Sequence, residues 1–290
     1  MNDTVWLVTG SGRGLGREIA RAALEAGDRV VATARDVRQL DDLVGGFGDA
    51  VVPVRLDVTD AAGARQAVTA AVEVFGRLDV VVNNAGYATL ASIEDTTEEE
   101  FRRQIDTNLF GVVNVTRAAL PVLREQGSGH VITVSSVGAR TATAGLGAYQ
   151  TAKWAVSGFS EVLAQEVAPL GIKVTAVEPG GMRTQWAGAS MAVPPVSAAY
   201  EPTVGMVAKF LEPGNDRSAG DPVKVARAIR AVAAMDEPPV RLLLGSDALN
   251  VAGASAAALA ARDAAFAGLT RSTDHDDVTA AERDPLGVGD

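Results

Sequence analysis

The sequence of 290 residues contains no cysteine. Disulfide bonds, thiolate metal sites and cysteine nucleophiles are therefore excluded from it. It has no apolar run of the ~18 residues that a membrane-spanning helix needs. Residues 1–4, MNDT, lack the basic and apolar regions of a signal peptide. We therefore expect a cytoplasmic protein that has no membrane partner.

Basic residues are in the minority. The chain has 26 Lys and Arg residues against 36 Asp and Glu residues, a formal net charge of −10. This balance argues against a nucleic acid or an anionic membrane surface as the main partner. With 47% apolar and 21% charged residues, the composition is that of a soluble globular protein able to bury a core.

Seven short runs rich in β-branched residues are spaced along the chain. Most are apolar nearly throughout, which is typical of strands buried on both faces of a parallel sheet. The predicted strands are Val5–Thr9, Arg29–Ala34, Val51–Leu56, Leu78–Val82, His130–Ser135, Ile172–Val177 and Val240–Leu244.

Helix-like segments separate these runs. Thr96, with Glu99 three residues later, has the form of a capping box and predicts a helix start there. Strand–helix alternation without a linker or internal repeat indicates one doubly wound α/β domain, which we assign to residues 1–271. The predicted helices include Leu15–Ala26, Asp60–Phe75, Thr97–Arg124 and Ala148–Leu170.

Two segments depart from the alternation. Residues 183–221 carry prolines, glycines and large apolar residues. An insertion of this length is usually a lid, a binding loop or a disordered stretch, and we predict a substrate lid. Residues 272–290 are polar and acidic and are predicted to form a disordered tail. His275 lies in this tail among aspartates, so a solvated run is favoured and no metal site is predicted.

A glycine-rich turn follows the first predicted strand. Residues 9–16 read TGSGRGLG and lead into an apolar helix. Glycines let the backbone approach a pyrophosphate, which binds at the positive N-terminus of the helix. Such a turn also occurs without a ligand, but its place between strand and helix favours nucleotide binding. The predicted cofactor contacts here are Gly10, Ser11, Arg13, Gly14, Leu15 and Gly16.

The end of the second strand distinguishes the two nicotinamide cofactors. An acid at this point binds the ribose hydroxyls of NAD, whereas arginine binds the 2′-phosphate of NADP. Asp36, with Gln39 three residues later, is better explained as a helix N-cap, and Ala34 carries no charge. Arg35 and Arg13 can both pair with phosphate. NADP is therefore predicted over NAD; the alternative is that both arginines are merely solvated.

Polar and small residues follow the third and fourth strands. Asp57-Val58 and residues 83–86, NNAG, fall at strand carboxyl ends, where open α/β sheets bind their ligands. We predict cofactor contacts at Asp57, Val58, Asn84, Ala85 and Gly86, although each segment alone is an ordinary turn sequence.

Tyr149 and Lys153 are four residues apart on a predicted helix, so their side chains share one face. A nearby cation favours the phenolate of a tyrosine, whose ordinary pKa is ~10, and the pair can then exchange protons. A surface helix with a solvated lysine has the same spacing. Asn108, close to Gly111, indicates either a helix kink or a simple polar position.

Together these motifs resemble the short-chain dehydrogenase/reductase family over about residues 4–250. The resemblance implies a Rossmann-type domain, usually with seven parallel strands, and a homodimer or homotetramer formed through Phe101–Arg124 and Ala148–Leu170. The motifs in family order and spacing are those of Thr9–Gly16, Asn83–Gly86, Asn108, Ser136, Tyr149–Lys153, and Pro179-Gly180 with Thr184.

The resemblance also implies the residue roles. Tyr149 is the general acid or base, and Lys153 lowers the pKa of its phenol and binds the nicotinamide ribose. Ser136 holds the substrate oxygen; Ser135 is the fallback, one residue off the family spacing. Asn108 fixes a water molecule of a proton relay. The further implied cofactor contacts are Tyr149, Lys153, Pro179, Gly180, Met182 and Thr184.

The substrate is predicted to be hydrophobic because the lid is apolar and rich in methionine. The family resemblance implies NADP(H)-linked oxidoreduction of a ketone, aldehyde or secondary alcohol, steroid-, retinoid- or polyketide-like. The lid residues can instead pack on the protein itself or on a partner subunit. A non-catalytic NADP(H)-sensing protein and an epimerase or dehydratase are the alternative functions. The lid residues proposed to contact substrate are Met182, Trp186, Met191, Met206 and Phe210.

Overall fold

A computed structural model describes residues 4–182, 191–211 and 218–287. Two of the predicted site residues, Thr184 and Trp186, lie outside the described residues. In the described part the strands are β1 (Val5–Val8), β2 (Arg29–Ala34), β3 (Val51–Arg55), β4 (Val80–Asn83), β5 (Ala88–Thr89), β6 (Gly129–Val134), β7 (Ile172–Pro179), β8 (Met191–Ala192) and β9 (Arg241–Leu244).

Seven of these strands form one parallel sheet, in the order β3-β2-β1-β4-β6-β7-β9. They coincide with the seven predicted runs, and the predicted doubly wound fold is confirmed. The chain builds outward from β1 through β2 to β3, then returns to β4 on the other side of β1. The carboxyl ends of β1 and β4 therefore flank the switch point at which doubly wound sheets bind ligands.

Helices cover both faces of this sheet. In the described part they are α1 (Gly14–Glu25), α2 (Asp41–Phe47), α3 (Ala61–Phe75), α4 (Glu98–Ile105), α5 (Gly111–Gln126), α6 (Gly147–Val167), α7 (Met206–Phe210), α8 (Pro222–Ala233), α9 (Ser246–Arg271) and α10 (Ala280–Arg283).

The core has two layers because successive strand residues point to opposite faces. Trp6 and Val8 of β1 pack in a cluster with apolar residues of α1, α2 and α8. Val5 and Leu7 pack in a second cluster with residues of α3, α5 and α6. The near-continuous apolar strands seen in the sequence follow from this double burial.

The segment predicted as one helix from Thr97 to Arg124 contains a π-helical turn, Asp106–Phe110, between α4 and α5. The predicted irregularity at Asn108 is confirmed. The predicted capping box is wrong by one residue: Thr97, not Thr96, is the N-cap and accepts the Glu100 N–H. The Glu100 carboxylate does not complete a box because it accepts from Thr89 Oγ1, 2.7 Å away, and pairs with Arg103.

A second, two-stranded sheet joins β5 to β8, with Ala88 opposite Met191 and Thr89 opposite Ala192. It ties the described part of the lid to the loop that follows β4. Two-residue strands separated by about a hundred positions leave no periodic pattern, so the sequence did not indicate this pairing.

Beyond β9 the chain forms α9, of which Ala248 and Ala252 are buried. The described part of the predicted tail includes the one-turn helix α10, whose N-terminus has a capping box between Thr279 and Glu282. Disorder of residues 272–290 stays a prediction. Within the described ranges, no helix combines the length and apolar character needed to cross a membrane.

Candidate active site

Tyr149 and Lys153 lie one turn apart on α6, and both are buried, with 8% and 5% of their surface exposed. The Lys153 ammonium lies 5.6 Å from the centre of the Tyr149 ring. It also donates a 2.7 Å hydrogen bond to the carbonyl of Val134, the last residue of β6. The alternative of a solvated lysine on a surface helix therefore does not apply.

Ser136 follows β6 and begins a short 3₁₀ turn, Val137–Ala139. Its hydroxyl accepts the Gly138 N–H at 3.0 Å and is also hydrogen-bonded to Tyr149. Ser135 faces the other way, as the alternation of an extended chain requires. Its hydroxyl contacts Ser157, 2.9 Å away, and the Lys153 carbonyl. The geometry thus favours Ser136 over Ser135 as the partner of Tyr149.

Burial sets the electrostatics of this pair. Desolvation raises the pKa of Tyr149 to about 12, and the hydrogen bond from Ser136 acts in the opposite direction. Desolvation lowers the pKa of Lys153 to about 8. The sequence predicted a lowered pKa for this phenol. Without a ligand the net effect is a raised pKa, because desolvation of Tyr149 outweighs the hydrogen bond from Ser136.

The Lys153 pKa gives a pH dependence with a definite sign. Between pH 8 and the ordinary value of 10.5 the unfolded chain holds a proton that the folded chain has lost. The free energy of unfolding attributable to Lys153 therefore rises with pH across this window and falls as pH drops through about 8.

Urea unfolding at pH 7.5 and 9.5 should show this rise in the wild type and not in Lys153→Met. The exposed Lys224 supplies the control, Lys224→Met, which should keep the rise. An identical pH dependence in wild type and Lys153→Met would contradict the assignment.

Asn108 is fully buried in the π-helical turn. Its side-chain oxygen accepts the Tyr87 N–H at 3.0 Å, and its amide donates to the Tyr87 carbonyl at 2.8 Å. A Cβ added at Gly86 would lie 2.7 Å from the Asn108 oxygen and 3.8 Å from the Lys153 nitrogen. Asn108 thus holds the loop after β4 beside Lys153. Its role in holding a water molecule stays a prediction.

The glycine turn has the shape that a dinucleotide requires. Gly10 and Gly14 adopt positive φ angles of 69° and 55°, which favour glycine. A Cβ at Gly16 would collide with the Gly10 carbonyl and the Asn84 amide. Arg13 is the N-cap of α1 and makes no capping hydrogen bond, and the first turn of α1 contains no acid. The exposed N–H groups and dipole of this helix start suit a pyrophosphate.

The turn is locked to the loop after β4. The Thr9 hydroxyl accepts the N–H groups of Asn84 and Ala85 at 2.9 and 3.0 Å, and the Asn84 amide donates to the Thr9 carbonyl at 2.9 Å. Ser11, predicted to contact the cofactor, is buried and donates its hydroxyl to the Val8 carbonyl at 2.8 Å. Its side chain therefore supports the turn from inside, and Leu15 is likewise buried in the core. Cofactor contact by these two residues stays a prediction.

At the end of β2, Asp36 is the N-cap predicted from the sequence: its carboxylate accepts the Arg38 N–H. The hydrogen bond from the Arg38 side chain keeps the pKa of Asp36 below its ordinary value. Arg13 and Arg35 are exposed. Arg55, which the sequence reasoning missed, pairs in register with Ala34, and its Nε donates to the Arg35 carbonyl at 3.3 Å. The strand register thus brings Arg55 beside Arg35 at the end of β2.

The remaining predicted cofactor residues lie at strand ends. Asp57 is exposed after β3 and accepts the N–H and hydroxyl of Thr59, while Val58 is buried. Pro179 ends β7, and the Gly180 N–H donates to the Leu244 carbonyl at 2.9 Å.

Asp247, at the start of α9, was also missed by the sequence reasoning. Its carboxylate accepts the Gly181 N–H at 2.8 Å, and a Cβ at Gly180 would collide with it. The Gly181 carbonyl accepts from Gly220, and Met182 pairs with that same residue. The loop after β7, which carries predicted cofactor contacts, is thus held by Asp247 of α9 on one side and by Gly220, near the end of the lid, on the other.

The described lid residues differ in how far they are buried. Met191 is buried and packs in one cluster with Tyr149 and Leu90. Its contact with a substrate stays a prediction. Met206 and Phe210 on α7 remain 62% and 68% exposed. Met182 packs against the sheet core.

This chain belongs to the short-chain dehydrogenase family, because residues 4–192 match the family model described as "short chain dehydrogenase". It is therefore an oxidoreductase of the class that acts on carbonyl and CH–OH groups. It is 54% identical over 260 residues to "Oxidoreductase BOA17" of Botryotinia fuckeliana, covering 89% of this chain and 95% of the relative. It is 34% identical to a "3-ketodihydrosphingosine reductase" of Bacteroides thetaiotaomicron, covering 84% of this chain and 89% of the relative.

Solved structures agree with this membership. A short-chain dehydrogenase of Streptomyces avermitilis has a TM-score of 0.88 at 41% identity, covering 94% of this chain and 98% of the other. A 3-ketoacyl-(acyl-carrier-protein) reductase of Brucella melitensis complexed with NADH has a TM-score of 0.70 at 27% identity, covering 83% and 96%. A Burkholderia cenocepacia short chain dehydrogenase in complex with NADP also has a TM-score of 0.70, at 26% identity, covering 91% and 97%.

Proposed function

We propose that this protein is an NADP(H)-dependent reductase or dehydrogenase of a hydrophobic carbonyl compound or secondary alcohol. The observation that carries the proposal is the buried group of Ser136, Tyr149 and Lys153 at the carboxyl edge of the sheet. A neutral phenol hydrogen-bonded to a serine hydroxyl, next to a buried ammonium, is suited to moving one proton at an oxygen atom. A protein that only bound a cofactor would not need this arrangement.

The chain supplies the proton and the binding of the oxygen. The high pKa of Tyr149 keeps its phenol protonated at neutral pH, as a proton donor to a carbonyl oxygen requires. The Ser136 hydroxyl, which can donate or accept, would bind the same oxygen through the change from carbonyl to alkoxide. The Lys153 ammonium favours negative charge nearby. A bound nicotinamide supplies or accepts the hydride.

NADP(H) is proposed as the cofactor because Arg35 and Arg55 lie together at the end of β2 and the exposed Arg13 begins α1. The planar guanidinium group of arginine pairs well with the 2′-phosphate that NADP carries. The one acid at the end of β2, Asp36, is already engaged with Arg38. Ala34 leaves no charge to repel a phosphate. The family relatives quoted above include complexes with NADP and with NADH, so this choice depends on the residues of this chain.

The apolar lid supports a hydrophobic substrate. Exposed Met206 and Phe210 on α7 lie in the same segment as Met191 and Val204, which pack against Tyr149. The relative named 3-ketodihydrosphingosine reductase is consistent with an apolar ketone.

The test is NADPH oxidation with a series of 2-ketones of increasing chain length. Burial of one methylene is worth about 0.8 kcal/mol, so kcat/KM should rise up to about fourfold per added methylene until the lid is filled. A series of aldehydes and the corresponding secondary alcohols with NADP⁺ would extend the test. A flat series would contradict the hydrophobic substrate. NADPH binding without turnover on any member would favour the non-catalytic sensor.

We also propose a homodimer or homotetramer formed through α5 and α6. The family resemblance implies these helices as the interface. Phe110, Trp154 and Val162, on or next to them, are 51%, 52% and 57% exposed, so they offer apolar side chains for a second copy to cover. Light scattering of the purified protein at micromolar concentration should give two or four times the mass of one chain. Trp154→Ser should lower that mass, whereas Leu259→Ser, equally exposed on α9, should not.

A further inference from the structure

Glu178 is a fully buried carboxylate in β7, directly before Pro179. The Nε of Arg140 donates to its Oε2 at 2.5 Å, and the Nε of Arg241 donates to its Oε1 at 2.8 Å. The cluster is closed by Glu161, which accepts from Arg241 at 2.9 Å. A buried carboxylate is strongly unfavourable unless it is paired in this way. Nothing in the proton chemistry described above uses these four residues.

The cluster contacts both elements that carry the candidate catalytic residues, the turn after Ser136 and helix α6. Arg140 ends the 3₁₀ turn that Ser136 begins. The guanidinium of Arg241 also donates to the Ala139 carbonyl of that turn, at 3.4 Å. The turn is therefore held against β7 by two guanidinium groups that share one carboxylate.

A chain of hydroxyl groups connects the same carboxylate to α6. Ser157 donates to Glu178 Oε1 at 3.3 Å and lies 2.9 Å from the Ser135 hydroxyl, which in turn contacts the Lys153 carbonyl. Glu178 thus contacts the end of the Ser136 turn through Arg140. It contacts α6, the helix that carries Tyr149 and Lys153, through Ser157.

We propose that Glu178 and Arg140 form a positioning pair, which fixes the Ser136 turn relative to α6 so that the Ser136 hydroxyl meets Tyr149 and the substrate oxygen. This inference rests on the proposed function of Ser136. Neither residue touches the reacting atoms. Arg140, at the end of the turn, links it directly to Glu178. Glu161 contacts Arg241 and makes no contact with Glu178 or the turn among the described hydrogen bonds.

The decisive variant is Arg140→Met, which removes the direct link between Glu178 and the end of the turn. It leaves the contact of Arg241 with Ala139 and the pairing of Glu178 with Arg241 and Ser157. Because misplacement of a reacting group by about 1 Å costs up to about 10²-fold, we expect kcat to fall by roughly tenfold and the dissociation constant for NADPH to change by less than about twofold. Arg140→Lys, which keeps the charge, should recover part of the loss. Glu161→Gln should keep the wild-type kcat.

A double-mutant cycle separates positioning from a general structural effect. Ser136→Ala should itself lower kcat by about 10²-fold. If Arg140 acts through Ser136, adding Arg140→Met to Ser136→Ala should lower kcat by less than about twofold more. An equal tenfold loss in both backgrounds, or no loss in the single variant, would overturn the proposal.

Hydrogen exchange gives a readout that does not need turnover. The N–H groups of Gly138, Ala139 and Arg140 are hydrogen-bonded within the turn, so their exchange should accelerate at least about tenfold in Arg140→Met and remain unchanged in Glu161→Gln. Unchanged exchange in Arg140→Met would also overturn the positioning role. If the wild type turned over no carbonyl, the proposed function would fail, and the exchange result would still decide whether Arg140 holds the turn.

Discussion

Tyr149→Phe is expected to lower kcat by roughly 10³-fold, within the range that general acids contribute, while NADPH binding persists. The change removes one oxygen atom from a side chain that stays buried among Leu90, Met191 and Val204. The apolar packing is therefore retained, and only the proton and its hydrogen bond to Ser136 are lost. Steady-state NADPH oxidation with the best ketone of the series measures kcat, and quenching of protein fluorescence by NADPH measures binding.

Thr151→Val is the matched control, because it removes an exposed hydroxyl from the same helix. It should retain the wild-type kcat. If Tyr149→Phe retained more than about a tenth of the wild-type kcat, Tyr149 would not be the proton donor.

The double variant Arg13→Ala with Arg35→Ala is expected to raise the KM for NADPH by roughly 10²-fold or more and to change the KM for NADH by less than about threefold. Each charge-assisted hydrogen bond to a phosphate is worth about 1.5–3 kcal/mol, and NADH lacks the 2′-phosphate. Both constants are obtained with the same ketone.

Arg262→Ala is the control for this pair, because it removes an exposed arginine from α9, which contacts β9 at the opposite edge of the sheet from β2. It should leave both constants near their wild-type values. Adding Arg55→Ala to the double variant should raise the KM for NADPH further if the third arginine contributes. Equal increases for the two cofactors would contradict the NADP assignment.

The sheet could be predicted because its signal is local. Each strand is a short apolar run, and double burial between two helical layers makes those runs stand out. Asp36 could also be assigned as an N-cap, since a cap depends on neighbours two or three residues away. The capping box was placed one residue early because Thr96 and Thr97 both precede a run of glutamates. The Glu100 carboxylate, which would complete a box with Thr97, is instead bound by Thr89 of β5 and by Arg103 three residues further along α4.

The candidate catalytic residues could be found from motif spacing, but their supporting residues could not. Arg55 comes beside Arg35 only through the register of β2 with β3. Asp247 reaches Gly181 only because α9 begins beside the end of β7. Glu178 directly follows the predicted strand Ile172–Val177, and its partners Arg140 and Arg241 are distant in sequence. These contacts depend on tertiary structure, which periodicity and local motifs do not encode.

The phenol pKa shows the same limit. Helical spacing correctly placed Tyr149 beside Lys153, and a neighbouring ammonium on its own favours the phenolate. Only the structure shows that both groups are buried, so that desolvation dominates and raises the pKa of Tyr149 while lowering that of Lys153.

The most direct test of the central proposal is transfer of deuterium to a long-chain 2-ketone from NADPH that carries deuterium in place of both hydrogens at the reactive carbon of its nicotinamide. Mass spectrometry of the alcohol product should show one deuterium atom per molecule with the wild type. Under the same conditions Tyr149→Phe, still loaded with the cofactor, should form roughly 10³-fold less labelled alcohol per unit time. An unlabelled alcohol, or labelled alcohol formed equally fast by both proteins, would contradict the proposed reaction and the role of Tyr149 in it.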